Sequence, residues 1–410
     1  MTAEVAILNS QGAAIAADSA VTIRLGSGET KIYYTAEKIF NISEKIPIGI
    51  MIYNTAEFMG INWKLIIKEY SSRITDKDKF KKLEDLMKNF IKFLSDFEYE
   101  YIEYKQLENL DKICKRSCSK LIEYIRDFYH VEYADKLIDD TAALKKQVIK
   151  FFSSALRKRI DELKNTEIRF PDFSGKYIVS NTEFIKSVVE NELHISLAAK
   201  QLQEFINLLI LEVKLYGLFS YPIDGKQKGY SGVVFVGYGE EEIFPSICSV
   251  EIFGKLGVDF LYNLNEPNPI INDRSSIIYP FAQDDVINTF IRGIDPDLQY
   301  IILPQLLLQF LEITGLVNEE KARNDFVASF VNVIIEEIIV KKYRDPILDI
   351  VASLPTINLA EMAEALINIT SLRRHNSTDQ DTVGGPTDVA IISKVDGFVW
   401  VKRKNNLTYQ

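Results

Sequence analysis

The sequence contains little cysteine and little histidine, and this scarcity argues against several kinds of site. Its three cysteines, Cys114, Cys118 and Cys248, are too few and odd in number to form a disulfide framework. Cys114 and Cys118 are four positions apart, but no histidine lies near them in the sequence to complete a zinc site. The three histidines are scattered and accompany no serine or cysteine elbow, so a triad built on histidine is not expected.

Positive charge and long hydrophobic runs are also lacking. The chain has 48 Lys and Arg against 58 Asp and Glu, and its formal charge of -10 argues against binding to nucleic acid or to anionic membrane. Its longest apolar runs, such as 206–211 and 331–335, are far shorter than the ~20 residues of a membrane span. The first residues lack the order of a secretory signal. With 47% hydrophobic and 26% charged residues, we expect a globular, cytoplasmic protein.

Hydrophobic periodicity predicts an α+β protein in which strands and helices occur in separate blocks. Strands are predicted at 3–9, 13–17, 21–24, 39–42, 48–53, 232–237, 247–253 and 258–263, with a closing hairpin over 388–402. Helices are predicted from 56 to about 214, with breaks near Pro171 and Gly175, and from about 284 to 370. We therefore predict a core formed by 1–55 and 226–410, with helical additions around 290–355, and a mostly helical region, 56–225, that includes an enlarged insertion.

Three residues near the start of the sequence suggest amide hydrolysis. Once Met1 is removed, Thr2 carries both a hydroxyl nucleophile and a free α-amine, whose ordinary pKa of about 7.7 to 8.0 suits a general base. A lysine ammonium nearby would lower that pKa by like-charge repulsion, and Lys38 is the candidate. Asp18 would keep the lysine charged and fix its position. This chemistry requires no metal or organic cofactor.

The segment Gly-Ala-Ala-Ile-Ala-Ala-Asp-Ser at 12–19 resembles the corresponding block of proteasome β subunits and related bacterial proteases. In that family the block follows the nucleophilic threonine at a fixed interval, and here the matching position is Thr2. The segment 37–42 resembles the family's lysine and following strand. The segments 359–365, 384–389 and 396–398 resemble its last helix, glycine pair and closing hairpin, and 232–239 resembles its central strand pair.

The resemblance implies a four-layer αββα sandwich of the N-terminal nucleophile (Ntn) hydrolase class, with peptide bonds cleaved through an acyl ester on Thr2. The backbone N–H groups of Tyr53 and Asn54 occupy the place of the family's oxyanion glycine. The family's supporting serine and Asp-Ser pair have no clear match, and Asp379 or Asp381 is the candidate to contact the amine. The implied partners are a peptide or protein substrate, further copies of the chain and an ATPase.

Two alternatives remain open at the level of sequence. In the first, the protein has the same fold but no catalytic activity and serves a structural or interaction role, as the non-catalytic subunits of that family do. In the second, Thr2 is the nucleophile but the substrate is a small amide rather than a peptide.

Overall fold

A computed structural model describes residues 3–24, 30–43, 46–75, 78–129, 142–218, 229–314, 321, 324, 326, 329–330, 332–376 and 383–404. The protein is a mixed α+β structure with antiparallel sheets. The strands are β1 (Glu4–Asn9), β2 (Gly12–Ala17), β3 (Val21–Arg24), β4 (Thr30–Tyr33), β5 (Ile39–Ser43), β6 (Ile46–Asn54), β7 (Glu57–Phe58), β8 (Ile61–Asn62), β9 (Ser231–Gly237), β10 (Ser246–Leu256), β11 (Asp259–Pro269), β12 (Ser276–Pro280), β13 (Asp388–Ser393) and β14 (Gly397–Lys402).

The helices are α1 (Trp63–Arg73), α2 (Leu83–Ser95), α3 (Glu100–Tyr129), α4 (Ala142–Leu163), α5 (Lys176–Ser180), α6 (Thr182–Leu193), α7 (Ala199–Tyr216), α8 (Asp284–Arg292), α9 (Pro296–Thr314), the π-helical segment Asn332–Arg344, α10 (Asp345–Ser353) and α11 (Thr356–His375).

Two five-stranded antiparallel sheets form the centre of the molecule. Sheet I has the strand order β12-β1-β2-β13-β14, and sheet II has the order β11-β10-β9-β6-β5. Sheet I therefore joins the first two strands of the chain to its last two. Two small hairpins, β3-β4 and β7-β8, lie outside these sheets.

A shared core lies between the two sheets. Alternate side chains point to opposite faces of a strand, so β1 and β2 each contribute residues to both sides of sheet I. On the inner side, Leu8 and Ile15 pack in one cluster with Met51 and Val234 of sheet II. The sheets approach closely at Gly49, where a Cβ atom would lie 2.8 Å from Cδ1 of Ile15.

Helices cover the outer face of each sheet. Val5 and Ile7 of β1 and the small residues Ala14 and Ala16 of β2 pack in a cluster with α8, α10 and α11. These alanines let α11 lie close to the strand. On the other side, α1 and α2 bury their apolar faces, including Trp63, against sheet II.

The helices from α3 to α7 form a further core beside sheet II. Their apolar side chains cluster with one another and with Phe253, Leu256 and Leu261 of the β10–β11 hairpin. Phe152 of α4 stacks near Phe205 of α7, with ring centroids 6.3 Å apart. The helices α3 to α7 are thus joined to sheet II at the β10–β11 hairpin, and Ile102 of α3 also packs in the core that α1 and α2 share with sheet II.

The predicted strands are confirmed, with small differences in their ends. Sequence analysis did not predict β12, which pairs with β1 and forms one edge of sheet I, or the short strands β4, β7 and β8. In the part of the chain that the structure describes, no helix combines the length and apolarity that crossing a membrane requires.

Candidate active site

One end of sheet I brings three carboxylates together. Glu4 at the start of β1 and Asp388 at the start of β13 both pair with Ala17, the last residue of β2, so Asp18 follows directly beside them. All three acids are buried. Buried carboxylates need charged or hydrogen-bonding partners, and this end of the sheet supplies both.

Asp18 is held by bonds from three parts of the chain. One oxygen, Oδ1, accepts the N–H of Ala3 at 3.0 Å and also binds the ammonium of Lys38. The other, Oδ2, accepts the N–H of Gly384 at 2.9 Å and that of Ala20 at 3.3 Å. Each oxygen therefore has two donors, which is close to the capacity of a carboxylate.

Lys38 lies between two carboxylates. It precedes β5, where its carbonyl accepts the N–H of Ile52 at 2.9 Å, so the β5–β6 ladder fixes its backbone. Its Nζ contacts Asp18 and lies 3.6 Å from Oε1 of Glu4. The side chain is 6% exposed. Sequence analysis predicted the pairing of Asp18 with Lys38, and the structure brings these two residues together.

A second buried lysine lies beside this pair. Nζ of Lys404 is 3.3 Å from Oδ2 of Asp388 and also donates to the carbonyl of Ala36. Burial lowers the pKa of Lys404, the charge of Lys38 lowers it further, and Asp388 acts in the opposite direction. The closing hairpin is thus tied to the segment that leads into Lys38.

The turn that contains Gly384 and Gly385 packs against Asp18 and Ser19. The backbone N–H of Ser19 donates to the carbonyl of Gly384 at 3.3 Å, and its hydroxyl donates to the carbonyl of Pro386. Gly384 has a φ of +148° and Gly385 a φ of +80°. A Cβ on Gly385 would lie 2.8 Å from Cβ of Tyr34, so this turn requires glycine for both its backbone and its space.

Tyr53 and Asn54 end β6 in the facing sheet. Asn54 adopts the left-handed conformation with a φ of 68°, which asparagine tolerates better than most residues. The ring of Tyr53 is buried against Tyr230 and Phe281, with centroids 6.0 and 5.4 Å away. Burial raises the pKa of Tyr53 well above its ordinary value, and Tyr230, Glu251 and Glu4 raise it further, so the phenol stays protonated.

Three predicted site residues, Thr2, Asp379 and Asp381, lie outside the described residues. Conversely, sequence analysis missed Glu4, Asp388 and Lys404. Glu4 gave no signal because a lone acid in a strand is usually solvated, whereas here a lysine 34 positions later provides its counter-charge. The pairing of β1 and β13 with β2 would have located the two acids, but register was not predicted from the sequence.

Among the described residues, no group of three or more His, Cys, Asp or Glu side chains is arranged to hold a metal ion. A comparison of the chain with protein-family models matched no family, and a comparison with curated proteins matched none of them.

Proposed function

We propose that this protein is an N-terminal-threonine hydrolase in which Thr2, exposed by removal of Met1, attacks an amide carbonyl. The observation that carries the proposal is the buried ion pair of Asp18 and Lys38, whose carboxylate also binds the N–H of Ala3. That N–H belongs to the peptide bond that joins Thr2 to Ala3. The ion pair is therefore bound to the first peptide unit behind the proposed nucleophile.

The chemistry follows from the charges at this end of sheet I. In the proposed mechanism the α-amine of Thr2 takes the hydroxyl proton, the hydroxyl oxygen attacks the carbonyl carbon, and the amine returns the proton to the leaving nitrogen. Water then releases the acyl group from the ester. Lys38 keeps the amine neutral by repelling a second positive charge, and Asp18 keeps Lys38 in place.

The packing order of the elements supports an Ntn-hydrolase sandwich. Two antiparallel sheets share a core, α8, α10 and α11 cover one outer face, and α1 and α2 cover the other. In the proposed fold these are the four layers, and α3 to α7 are an insertion. The reacting end is the one at which β2 leads into Asp18.

The oxyanion of the tetrahedral intermediate is proposed to bind the backbone N–H groups of Tyr53 and Asn54. A main-chain donor does not depend on the side chain, and the left-handed backbone of Asn54 supports this assignment because it reorients the peptide at the end of β6. Asp379 and Asp381 remain the candidates to support the terminal amine. They precede Gly384, whose N–H reaches Asp18.

One observation favours a second candidate, a non-catalytic member of the same architecture. The ring of Tyr53 packs on Phe281, whose N–H bonds to the carbonyl of Glu4 at 2.9 Å, so a large side chain occupies the space beside the charged cluster. A site narrowed in this way would accept a small amide more readily than a peptide, or no substrate.

The first test is the mass of the intact protein, because retained Met1 leaves Thr2 without a free amine. The second compares Thr2→Ala with Thr2→Ser on fluorogenic peptides and on small amides. We expect Thr2→Ala to abolish turnover and Thr2→Ser to retain part of it, since serine keeps the hydroxyl.

An epoxyketone probe separates the hydrolase from the non-catalytic alternative. This electrophile needs both the hydroxyl and the free amine, so its adduct should map to Thr2 and disappear in Thr2→Ala. Quantitative retention of Met1, or unchanged hydrolysis by Thr2→Ala, would refute the mechanism. Activity that rises with peptide length would favour a peptidase over a small-amide hydrolase.

A further inference from the structure

Strand β11 forms the outer edge of sheet II. In the described part of the chain, β10 is the one strand that pairs with it. Among the described residues, no backbone N–H or carbonyl of 259–268 bonds to the backbone of any element other than β10. An open edge of this kind presents a row of donors and acceptors onto which a further strand can add.

A groove of about 1190 Å³ follows this edge between two walls. Helix α2 forms one wall, and the segment 169–173, which precedes α5, forms the other. Residues 258–265 form the floor. Because a strand rises about 3.3 Å per residue, the stretch from 259 to 265 gives the groove a length of about 23 Å.

The two walls cover opposite faces of β11. Successive side chains of a strand alternate between its faces. Phe260 packs in the core that contains α2, whereas Leu261 packs in the core that contains Phe170. Tyr262 and Leu264 follow on the face of Phe260 and are 37% and 45% exposed. A strand added to the edge would therefore lie between the walls and direct its side chains alternately at each.

The α2 wall is positively charged. Lys88 and Lys92 line it one helical turn apart, and both are exposed. Lys88 pairs with Glu84 of the same helix, but the lysine side chain is 57% exposed, and such surface pairs are weak. Lys92 forms no ion pair among the described residues. An acidic side chain directed at this wall would meet both lysines.

The opposite wall favours apolar side chains. Arg169 pairs with Glu251 at 2.8 Å, so these two charges compensate each other. Asp172 is exposed and forms no ion pair among the described residues, which disfavours an acid on this side of the groove. Phe170 and Pro171 supply apolar surface beside it.

We propose that the groove binds an extended segment of another protein, which adds to β11 as a sixth strand of sheet II and carries acidic residues in alternation with apolar ones. Main-chain bonds to the edge supply affinity, and the two walls select the alternating side chains. The remaining acid of the groove, Asp259, is already engaged, because it accepts the N–H of Ser174 at 3.0 Å and that of Gly175 at 3.2 Å. The proposal does not rest on catalysis by Thr2.

A second copy of the chain fits this edge less well. In an antiparallel pair of β11 edges about a two-fold axis perpendicular to the sheet, the two α2 helices would lie on the same side with their lysines facing each other. The β11 side chains on that face, Phe260, Tyr262 and Leu264, bring no acid to compensate them.

The test is the binding of a fluorescein-labelled peptide to the full-length protein, followed by fluorescence anisotropy. The peptide has the length of the stretch 259–265 and alternates glutamate with valine. We expect saturable binding, and about 10- to 100-fold weaker binding when lysine replaces glutamate. No binding of the glutamate peptide at protein concentrations up to about 1 mM, or equal binding of the two peptides, would overturn the proposal.

Charge reversal on the protein tests the α2 wall. The double variant Lys88→Glu, Lys92→Glu should bind the glutamate peptide at least about 10-fold more weakly and the lysine peptide more tightly than the wild type does. This exchange of preference could not come from misfolding. The matched control is Lys64→Glu, Lys68→Glu, which reverses two exposed lysines at the same spacing on α1 and should leave both affinities unchanged. An unchanged preference in the α2 variant, or the same exchange in the control, would overturn the proposal.

Hydrogen exchange and methylated peptides test the pairing with the strand edge. Bound peptide should slow the exchange of backbone N–H groups within 260–265. Backbone N–H groups of a strand point alternately to its two sides, so methylation of either the glutamate or the valine nitrogens should abolish binding. Binding by both methylated peptides would overturn the main-chain pairing. A dimer of the chain without peptide, with β11 already protected from exchange, would assign the edge to a second copy and overturn the proposal as well.

Discussion

Lys38 is a buried cation whose surroundings were built from distant parts of the chain. Its partners are Asp18, which follows β2, and Glu4, which begins β1. Removing one member of a buried ion pair leaves the other charge without compensation, at a cost of about 3 to 5 kcal/mol. The residue is therefore important for stability as well as for the proposed chemistry.

We predict that Lys38→Met lowers the free energy of unfolding by about 3 kcal/mol, because Asp18 and Glu4 are then left without a cation. Lys64→Met is the matched control. Lys64 forms an ion pair at 2.8 Å with Glu37, the residue before Lys38, but the side chain of Lys64 is 59% exposed. An exposed pair contributes about 0 to 1 kcal/mol, so the control should be nearly neutral. Urea denaturation measures both, and equal losses in the two variants would contradict the prediction.

At the residue scale, the sequence predicted the pairing but not its environment. Asp18 and Lys38 were predicted because the segments 12–19 and 37–42 resemble those of proteasome β subunits. Glu4 and Lys404 could not be found, because their burial depends on strand pairing and on a hairpin from the other end of the chain. A single charged residue in a sequence carries no information about a counter-charge that only folding supplies.

At the element scale, Asn9 joins the β1–β2 turn to the end of α10. Its side-chain nitrogen donates to the carbonyls of Val351 at 2.9 Å and Leu354 at 2.7 Å. Its side-chain oxygen accepts the N–H groups of Gln11 at 2.9 Å and Gly12 at 3.3 Å. The buried amide of Asn9 thus provides hydrogen-bond partners for two N–H groups of the turn. It also binds two carbonyls at the end of α10, where a helix leaves carbonyls without intrahelical partners.

We predict that Asn9→Ala lowers the free energy of unfolding by about 3 kcal/mol, because buried donors and acceptors lose their partners. The control is Asn207→Ala on the exposed face of α7, which removes the same group and should be neutral or slightly stabilising, since alanine favours helix. Thermal and urea unfolding would measure both. A loss below about 1 kcal/mol at position 9 would show that water replaces these bonds.

Element types were more predictable than element partners. Residues 13–17 and 232–237 have strong strand patterns, and the structure places both in central positions of their sheets. The strand β12 is short and ends in proline, so its sequence gave little signal. Its place at the edge of sheet I depends on pairing with β1, more than 260 positions earlier, which local periodicity does not encode.

At the scale of the whole molecule, the three cysteines lie in two separate hydrophobic cores. Cys114 and Cys118 lie in the core of α3 to α7, and Cys248 lies between sheet II and α2. Burial raises the pKa of Cys118 to about 12, and it raises the pKa of the other two thiols further. A buried thiol with a raised pKa is protonated and unreactive in the folded protein.

We predict that stability falls above about pH 9 partly through these thiols. The unfolded state releases the Cys118 proton near pH 9, whereas the folded state holds it to about pH 12, so the contribution is present below pH 9 and is lost as the pH rises. From pH 8 to pH 10 the wild type should therefore lose about 1.4 kcal/mol of unfolding free energy more than the Cys118→Ala variant loses. Between pH 6 and pH 8 it should stay constant.

A thiol reagent provides an independent check on the same burial. At pH 8 none of the three thiols should react with the reagent in the folded protein, and all three should react after unfolding in urea. A thiol that reacts in the native protein would show that its core opens locally, and the pH dependence would then be smaller than predicted.

The bonds around Asp18 also bear on how the protein is made. The carboxylate receives N–H groups from residues 3 and 384, and Lys404 secures the approach to Lys38. The ribosome makes residues 3 and 384 far apart in time, so the cluster stays incomplete until the segment that contains Gly384 and Lys404 has left the ribosome. A fragment that stops before Gly384 would therefore lack Lys404 and the Gly384 N–H, and its Asp18 carboxylate would have fewer donors.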